Sequence, residues 1–290
     1  MISMDDVLVI DIGGTKTNLC IASRDKGILL HETKKINTAV NPEHHIQQIK
    51  NDYLSFKKQP KIASLSLPGF WDKSGKLVES YFLHSWLNFP FIDTLKKELN
   101  LKECVFETDV ICGGLGEYRA HNYKKLLYLN IGTGIGASLI EDGKPYKSSA
   151  GLTLRMQKLV FPFQEEIYSA VDLISGGTIS QGTKFATVEE LFEGYKKADV
   201  EAIDLISRAQ TQLACWLINL FYLFAPEIIV LNGGLTYDFD VLASGAIDIA
   251  KEELEGNVDI IQSKLKELAP IHGAFVIASE AKQSRSYLVD

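Results

Sequence analysis

The stretch from Val7 to Thr17 constrains the fold of this chain more than any other feature. Its apolar, mostly β-branched residues predict a short buried strand that ends in the carboxylate of Asp11 and a glycine pair. Glycine lets the backbone turn tightly and approach an anion, so the N–H groups of this turn predict a phosphate site. A Gly-Gly pair is also a common hairpin signal. The two interpretations are compatible, because a hairpin turn can hold a phosphate.

This first glycine turn comprises Gly13, Gly14, Thr15 and Lys16. Its backbone N–H groups, hydroxyl and ammonium are predicted to bind phosphoryl oxygens. Asp11, at the end of the strand, is predicted to face Mg²⁺ through water, because magnesium keeps much of its hydration shell.

A second glycine turn follows the predicted strand from Lys125 to Asn130, and it comprises Gly132, Thr133, Gly134 and Gly136. A strand-like segment from Ala137 to Glu141 comes next, so the opening pattern is repeated about 120 residues later. Two such turns, each after a buried strand, predict two similar half-domains that face each other across the phosphates of a nucleotide. A dinucleotide-binding fold is rejected, because a helix follows its glycines and a strand follows these.

Thr108 and Asp109 lie between a predicted strand, Cys104 to Glu107, and a predicted helix. Residues of these types commonly cap a helix. Alternatively, Asp109 is a carboxylate at the end of a parallel strand, where open α/β sheets bind ligands. Capping alone does not decide between the two interpretations.

A third glycine pair, Gly233 and Gly234, follows a predicted strand from Glu227 to Asn232. Flat backbone there would let an adenine or a ribose lie against it, although the pair taken alone is more typical of an ordinary turn between a strand and a helix. Helices are predicted from about Val200 to Ala225, from about Val241 to Leu254, and from about Gly273. Strands that alternate with helices in this way predict an α/β fold.

Two further expectations concern local structure. His44 and His45 lie in the first turn of a helix predicted to start at Asn41, where we expect solvated side chains. Residues 169–177 predict a short helix with a glycine C-cap.

Composition argues against several classes of function. A chain of 290 residues with 46% hydrophobic and 23% charged residues is typical of a soluble protein of roughly two domains. A net charge of −7 with scattered basic residues argues against a nucleic-acid partner, because clustered Lys and Arg hold phosphate backbones. The four cysteines show no CxxC pairing, so neither a disulfide framework nor a zinc site is predicted. No signal peptide or membrane span is predicted, and we expect a cytoplasmic protein.

Four stretches of the sequence together resemble the ROK family (repressors, open reading frames and sugar kinases), which belongs to the superfamily of actin, hexokinase and heat-shock ATPases. They are residues 11–17, 107–109, 132–136 and 231–234, and the similarity runs in order from Val7 to about Ala278. Residues 66–69, Ser-Leu-Pro-Gly, and 86–90, Trp-Leu-Asn-Phe-Pro, match positions where such kinases hold the sugar. The first stretch is the most specific of these matches.

The resemblance implies two RNase H-like lobes with a cleft between them. Residues 1–112 would form the N-terminal lobe, and residues 113–290 would form the C-terminal lobe, with the last helix packing back on the first lobe. Gly13 to Lys16 and Gly132 to Gly136 would hold ATP phosphates, Gly233 and Gly234 would flank adenosine, and Asp109 would be the catalytic carboxylate. The sugar would contact Pro68, Gly69, Asn88, Thr108, Asp109 and Glu166. Homodimers are common among relatives, and DNA binding is not implied because the winged helix of the repressors is missing.

The sequence departs from the family pattern at three places. Thr108-Asp109 stands where the family has Asn-Asp, and residues 150–155, Ala-Gly-Leu-Thr-Leu-Arg, stand where it has Ala-Gly-Glu-x-Gly-His. The sugar-binding glutamate and the histidine shared by sugar and zinc are therefore absent. The cysteine-rich zinc loop is missing too, so no structural zinc is expected. Sugar recognition would then depend on other residues, such as Arg155, Glu165 or Glu166.

Three functions follow from this pattern. The first is an ATP- and Mg²⁺-dependent kinase for a hydroxyl of a hexose or an N-acetylhexosamine. The second is a sugar- or nucleotide-binding protein with a decayed kinase fold, which the missing glutamate and histidine favour. The third is a kinase of the same fold whose substrate is not a neutral hexose, and Arg155 hints at an anionic group on that substrate.

Overall fold

The chain forms two compact units. Unit 1 combines Met1–Gly116 with Leu268–Asp290, and unit 2 is Glu117–Glu267. The computed structural model describes residues 6–24, 28–72, 74–149, 153–163, 165–236, 238–254 and 258–286. Unit 1 is thus built from two segments of the chain, whereas unit 2 is continuous.

The first segment consists of groups of strands separated by helices. In chain order they are β1 (Val7–Ile12), β2 (Lys16–Arg24), β3 (Ile28–Asn37), α1 (Pro42–Ser55), β4 (Ile62–Leu67), β5 (Phe70–Trp71), β6 (Leu77–Glu79), α2 (Phe91–Glu98), β7 (Glu103–Thr108) and α3 (Asp109–Ala120). The boundary between the two units lies inside α3, after Gly116.

Unit 2 continues with strands, a group of short elements and a long helix. Its elements are β8 (Lys125–Ile131), β9 (Ile135–Glu141), β10 (Lys144–Pro145), β11 (Val160–Phe163), β12 (Glu166–Ser169), α4 (Ala170–Ile174), α5 (Val188–Lys196), α6 (Val200–Phe224), β13 (Ile228–Asn232), α7 (Ala243–Glu253) and β14 (Asp259–Gln262). The chain then returns to unit 1 as α8 (Ala269–Ser286).

The main sheets of the two units have the same topology. The order is β3-β2-β1-β4-β7 in unit 1 and β10-β9-β8-β13-β14 in unit 2. In each sheet the first three strands are antiparallel, and the last two pair in parallel with the strand before them. The mixed α/β fold and the two similar half-domains predicted from the repeated glycine turn are therefore confirmed.

The parallel strands of unit 1 are in a register that brings three polar side chains into one row. Asp11 of β1 lies opposite Ser66 of β4, and Ser66 lies opposite Glu107 of β7. Leu67 pairs with Thr108 at the next position. The carboxyl ends of these strands meet at one edge of the sheet, where α/β folds bind ligands.

Each unit has its own hydrophobic core. In unit 1, α8 packs on the central sheet, where Ile271 and Phe275 are buried with Val7 and Val9. In unit 2, α6 supplies the largest buried side chain, Trp216, whose Nε1 donates to the Met156 carbonyl at 3.1 Å. None of the helices within the described ranges is both long and apolar enough to cross a membrane.

Helix α1 begins as predicted, with an Asn41 N-cap whose side chain accepts from the His44 N–H and a proline at the first helical position. The expectation for His45 is wrong, because its side chain is fully buried rather than solvated. His45 lies four residues before Ile49, so it belongs to the same buried face as the apolar residues of this helix.

Two other local predictions need correction. Helix α4 ends at a C-cap Ser175 in an extended conformation, so Gly176 is not its C-cap. Helix α8 begins at Ala269 rather than near Gly273.

Candidate active site

Asp11 is held in a fixed orientation at the end of β1. Its Oδ1 accepts a hydrogen bond from Ser66 Oγ at 2.7 Å, and its Oδ2 accepts one from Asn18 Nδ2 at 3.3 Å. Burial raises the pKa of Asp11 above its ordinary value, although these two hydrogen bonds act in the opposite direction. A half-buried, oriented carboxylate of this kind has the oxygen chemistry that Mg²⁺ prefers.

Asp109 is the first residue of α3 and directly follows the strand end at Thr108. Its Oδ1 accepts a hydrogen bond from the Val110 N–H at 2.9 Å. Burial, and secondly the charge of Asp11, raise the pKa of Asp109 to about 7. A carboxylate with this pKa can exchange a proton near neutral pH, which is the property of a general base.

The environment of Cys112 shows how closely the carboxylates gather. This thiol is fully buried one turn along α3 from Asp109. Burial raises its pKa well above the ordinary range, and the negative charges of Glu107, Asp11 and Asp109 raise it further. Cys112 is therefore a neutral thiol and not a nucleophile at neutral pH.

The first glycine turn closes on itself and is held from one side by Thr38. Gly13 N donates to the Lys16 carbonyl at 2.8 Å. Thr38 Oγ1 donates to the Gly13 carbonyl at 2.8 Å, and Thr38 N donates to the Thr15 carbonyl at 2.9 Å. The Lys16 ammonium donates to the side chain of Asn37. This geometry is a hairpin turn, as one interpretation of the sequence predicted.

Phe82 packs against this turn. A Cβ at Gly14 would lie 2.7 Å from the Cβ of Phe82, closer than real Cβ atoms approach. Only glycine fits at position 14 without a shift of the aromatic side chain. Phe82 is itself 48% exposed, so its ring forms part of the surface beside the turn.

Three of the residues predicted to hold the sugar, Pro68, Gly69 and Asn88, lie around β6. Trp71 Nε1 donates to the Pro68 carbonyl at 2.9 Å, and a Cβ at Gly69 would lie 2.5 Å from the Glu79 carbonyl oxygen. Asn88 N donates to the Leu77 carbonyl at 2.9 Å. The register of β4 with β7 places Thr108 next to Leu67 and hence beside the start of the Pro-Gly turn.

In unit 2, the second glycine turn is held by a glycine pair from a distant part of the chain. Gly176 N donates to the Gly132 carbonyl at 2.7 Å, and Gly177 N donates to the Thr133 carbonyl at 3.0 Å. A Cβ at Gly176 would lie 3.0 Å from the Gly132 oxygen. The close approach of the two segments thus favours glycine at position 176.

A cavity of about 930 Å³ adjoins this turn within unit 2. It is lined by Gly132, Thr133, Gly176, Gly177, Ser180, Gln181, Gly182, Thr183, Phe185, Ala186, Thr187, Val188, Glu189, Phe192, Glu193, Lys196, Gly234, Leu235 and Asp238. Lys196 forms an ion pair with Asp238. The volume is within the range of small-molecule sites.

The third glycine pair contributes to the same cavity through one of its members. Gly234 lines it, and a Cβ there would meet open space. Gly233 has a φ of +96°, and a Cβ there would lie 2.4 Å from the Ile131 carbonyl oxygen, so it shapes the backbone behind the cavity. Gly134 and Gly136 do not line the cavity. Gly136 is instead paired with Asn130 inside the β8–β9 ladder.

The comparison with protein families decides the identity of the chain. The family model described as "ROK family" matches residues 7–166 and 173–281. The chain belongs to the ROK family. A glucokinase from Thermotoga maritima is 23% identical over 308 residues, which cover 93% of this chain and 96% of that relative.

Solved ROK structures share the fold. A ROK hexokinase from Thermus thermophilus has a TM-score of 0.82 at 19% identity and covers 97% of this chain and 100% of its own. A ROK glucokinase from Streptomyces griseus in complex with glucose and AMPPNP has a TM-score of 0.75 at 17% identity, with 95% and 100% covered. The predicted actin/hexokinase-type fold with two lobes is confirmed.

The departures from the ROK pattern fall partly outside the described residues, because residues 150–152 are not among them. Arg155 is exposed. Glu166 is exposed in β12, where its Oε2 accepts from the Tyr168 hydroxyl at 2.6 Å, and it does not line the unit 2 cavity. The described ranges contain no group of three or more His, Cys, Asp or Glu that could hold a metal ion.

Three features of this ROK site were missed in the sequence. Ser66 was noted only as part of a sugar motif, but its position at the end of a strand next to β1 indicates a partner for Asp11. No pattern in the sequence indicates that Thr38 holds the first glycine turn. The Gly176-Gly177 pair looked like a helix end, because its partner turn lies more than forty residues earlier.

Proposed function

We propose that this ROK protein transfers the γ-phosphoryl group of ATP to a hydroxyl of a hexose or an N-acetylhexosamine. The observation that carries the proposal is Asp109, a carboxylate at the end of a parallel strand whose pKa is raised to about 7 by burial and by the charge of Asp11. A general base with a pKa near neutral, at the edge where α/β sheets bind ligands, suits phosphoryl transfer to a hydroxyl.

The residues present fit ATP and Mg²⁺. The first glycine turn is a cradle in which a Cβ at position 14 would be obstructed, and the unit 2 cavity of about 930 Å³ has room for a nucleoside. Gly13 to Lys16 and Gly132 to Gly136 would hold phosphates, and Gly233 and Gly234 would flank adenosine. Asp11, held by Ser66 and Asn18, would face Mg²⁺ through water. Bound as its magnesium complex, ATP would supply the phosphoryl group.

The protein contributes positioning and one proton acceptor. An Asp109 carboxylate oxygen would accept the proton of the sugar hydroxyl as the hydroxyl oxygen bonds to the γ-phosphorus and the bond between the γ-phosphorus and ADP breaks. Such a base contributes roughly 10²–10⁴-fold in rate. Backbone N–H groups of the glycine turns stabilise the charge on the phosphoryl oxygens, which is the main requirement of phosphoryl transfer.

The acceptor site is proposed from the residues around β6 and the end of β7. Pro68, Gly69, Asn88, Thr108 and Asp109 would contact the sugar, and Glu166 would add a contact from unit 2. The relatives named glucokinase and N-acetyl-D-glucosamine kinase support an acceptor of the hexose or N-acetylhexosamine class.

A coupled ADP-release assay over a panel of neutral, N-acetylated and anionic sugars tests this function. We expect sugar-dependent ADP release, and Asp109→Asn should lower turnover by at least roughly 10²-fold while the affinity for ATP stays near normal. Asp93→Asn, an exposed carboxylate change on α2, is the control and should leave turnover unchanged. Full turnover of Asp109→Asn would show that another group is the base.

A second candidate is a sugar-binding protein without catalysis. It is favoured by Leu152 and Arg155, which stand where the family has its sugar-binding glutamate and histidine. A site that has lost hydroxyl-reading partners loses much of its selectivity. Calorimetric binding of a sugar, with no phosphoryl transfer across the whole panel, would support this candidate. Transfer confined to anionic sugars would support the kinase for an anionic substrate.

A further inference from the structure

His45 is a fully buried histidine that the proposed reaction does not use. Its Nε2 lies 2.9 Å from Thr17 Oγ1, and Thr17 Oγ1 lies 2.9 Å from Thr38 Oγ1. Thr38 Oγ1 donates to the Gly13 carbonyl at 2.8 Å. A continuous chain of hydrogen bonds therefore joins the imidazole to the first glycine turn.

Counting the available hydrogens determines which atom donates in each hydrogen bond of this series. Each hydroxyl has one hydrogen, and that of Thr38 is used on the Gly13 carbonyl. Thr17 must then donate to Thr38, so His45 Nε2 must carry a hydrogen and donate to Thr17. Burial lowers the pKa of His45, which favours the neutral ring.

The other ring nitrogen is consistent with this tautomer. Ala39 N donates to His45 Nδ1 at 3.3 Å, which requires Nδ1 to be unprotonated. Gln48 Oε1 lies 3.2 Å from Nδ1, and a flip of the amide, whose two ends are interchangeable, places its NH₂ group there as a donor. Trp86 packs on the ring at 5.2 Å, and its Nε1 donates to the Ala39 carbonyl at 3.2 Å.

This series of hydrogen bonds ends at the peptide bond between Gly13 and Gly14, whose N–H group is a potential anion ligand. The C=O and N–H groups of a trans peptide point in opposite directions. When Thr38 holds the Gly13 carbonyl, it also directs the Gly14 N–H away from Thr38. Within the described ranges, no hydrogen bond is made by the Gly14 N–H. This donor is therefore oriented and available to a ligand.

The two glycine turns differ in how their carbonyls are held. In unit 2, backbone N–H groups of Gly176 and Gly177 hold the carbonyls of Gly132 and Thr133. In unit 1, the Gly13 carbonyl is held by a side-chain hydroxyl. The orientation of the first turn is thus sensitive to single side chains in a way that the second is not.

We propose that His45 is a positioning residue for the first glycine turn, which it orients through Thr17 and Thr38. The inference rests on the proposed function in one respect, namely that this turn binds the phosphates of ATP. His45 touches no substrate in this role. It supplies the first donor in a series that ends by aiming the Gly14 N–H at a phosphoryl oxygen.

Isosteric changes in the hydroxyls test the inference. Thr38→Val and Thr17→Val keep the side-chain shape and remove one hydroxyl each, and both should weaken ATP binding about tenfold by calorimetry, which is about 1.4 kcal/mol. Thr38→Ser and Thr17→Ser keep the hydroxyl, so both should bind ATP more tightly than the corresponding valine variants. Thr33→Val, an exposed change on β3, is the matched control and should bind ATP as the unaltered protein does.

The double variant and the histidine variants give readouts that a purely structural role would not move. Thr17→Val with Thr38→Val should bind ATP no more weakly than Thr38→Val alone, because both cut the same series. His45→Gln, which keeps a donor near the Nε2 position, should bind ATP more tightly than His45→Leu. The KM for ATP should rise in the valine variants while the KM for the sugar stays within twofold.

The outcomes separate this inference from the proposed function. Unchanged ATP affinity in a folded Thr38→Val protein, with the melting temperature as the check, would overturn the inference alone. ATP binding without phosphoryl transfer would overturn the kinase function and leave the affinity test decisive. An unaltered protein that does not bind ATP would overturn both.

Discussion

The negative charge of Asp11 acts on Asp109 and adds to the larger effect of burial, so that the pKa of Asp109 is raised to about 7. Asp11 lies near the end of β1 and Asp109 directly follows β7, and β4 lies between these strands. One carboxylate thus adjusts the proton affinity of the other, which suits a division of labour between metal binding and proton acceptance.

The pH dependence of the reaction should show this coupling. Asp109 must be ionised to accept a proton, so kcat/KM should fall as the pH drops below about 7. Removing the neighbouring charge with Asp11→Asn should move this acid limb to lower pH, even though overall activity falls. Steady-state rates from pH 5 to 9 measure the acid limb of the unaltered protein and that of Asp11→Asn. An acid limb that stays in place in Asp11→Asn would contradict the electrostatic coupling.

The same shift predicts a pH-dependent effect on stability. The pKa of Asp109 is raised from 3.8 to about 7 on folding, so the folded protein binds more protons than the unfolded chain in this window. Its unfolding free energy therefore decreases as the pH rises through the window. Asp109→Asn removes this loss, and its melting temperature should exceed that of the unaltered protein increasingly from about pH 4 to 7. A constant difference across this range would be evidence against the raised pKa.

The contact between Gly14 and Phe82 predicts a suppressor pair. Gly14→Ala places a Cβ 2.7 Å from the Cβ of Phe82, so the turn or the aromatic side chain must shift and ATP should bind more weakly. Phe82→Gly removes the Cβ at 2.7 Å together with the ring atoms at 2.8 and 3.3 Å, and in the double variant it should recover part of the lost affinity. Nucleotide titration of the three variants measures this. Strictly additive losses would mean that the contact is not the cause.

Glu117 should be important for stability in unit 2. Its fully buried carboxylate accepts from Ser263 Oγ, from the Leu265 N–H at 2.9 Å and from His121 Nε2 at 3.1 Å. Glu117→Gln replaces one acceptor oxygen with a donor facing these groups. We expect a loss of about 2–4 kcal/mol in unfolding free energy. Chemical denaturation measures it, with the exposed Glu252→Gln on α7 as a control.

Much of the fold was predictable because local patterns agreed with the tertiary structure. The apolar run before Asp11 and the one before Gly132 are strands, and each is followed by an antiparallel partner. Asn41 and Pro42 marked the start of α1 correctly. These signals lie within a few residues of the feature they predict.

The rest depended on contacts between distant residues. The burial of His45 follows from Trp86 and Thr17, which lie far from it in sequence. In the sequence Gly176 resembles a helix end, because the carbonyl that accepts from its N–H belongs to Gly132, which is distant along the chain. The raised pKa of Asp109 depends on burial and on Asp11, and neither can be read from the neighbours of Asp109 in the chain.

The division of unit 1 into two segments has a consequence for the order of folding. Unit 2 is complete once Glu267 has been synthesised, whereas unit 1 lacks α8 until synthesis has reached Ser286. Until then, the buried faces of Val7 and Val9 have no helix to cover them. The nested unit is therefore able to mature first on the ribosome, and the half that carries Asp109 becomes native only once α8 has been synthesised and has packed on its sheet.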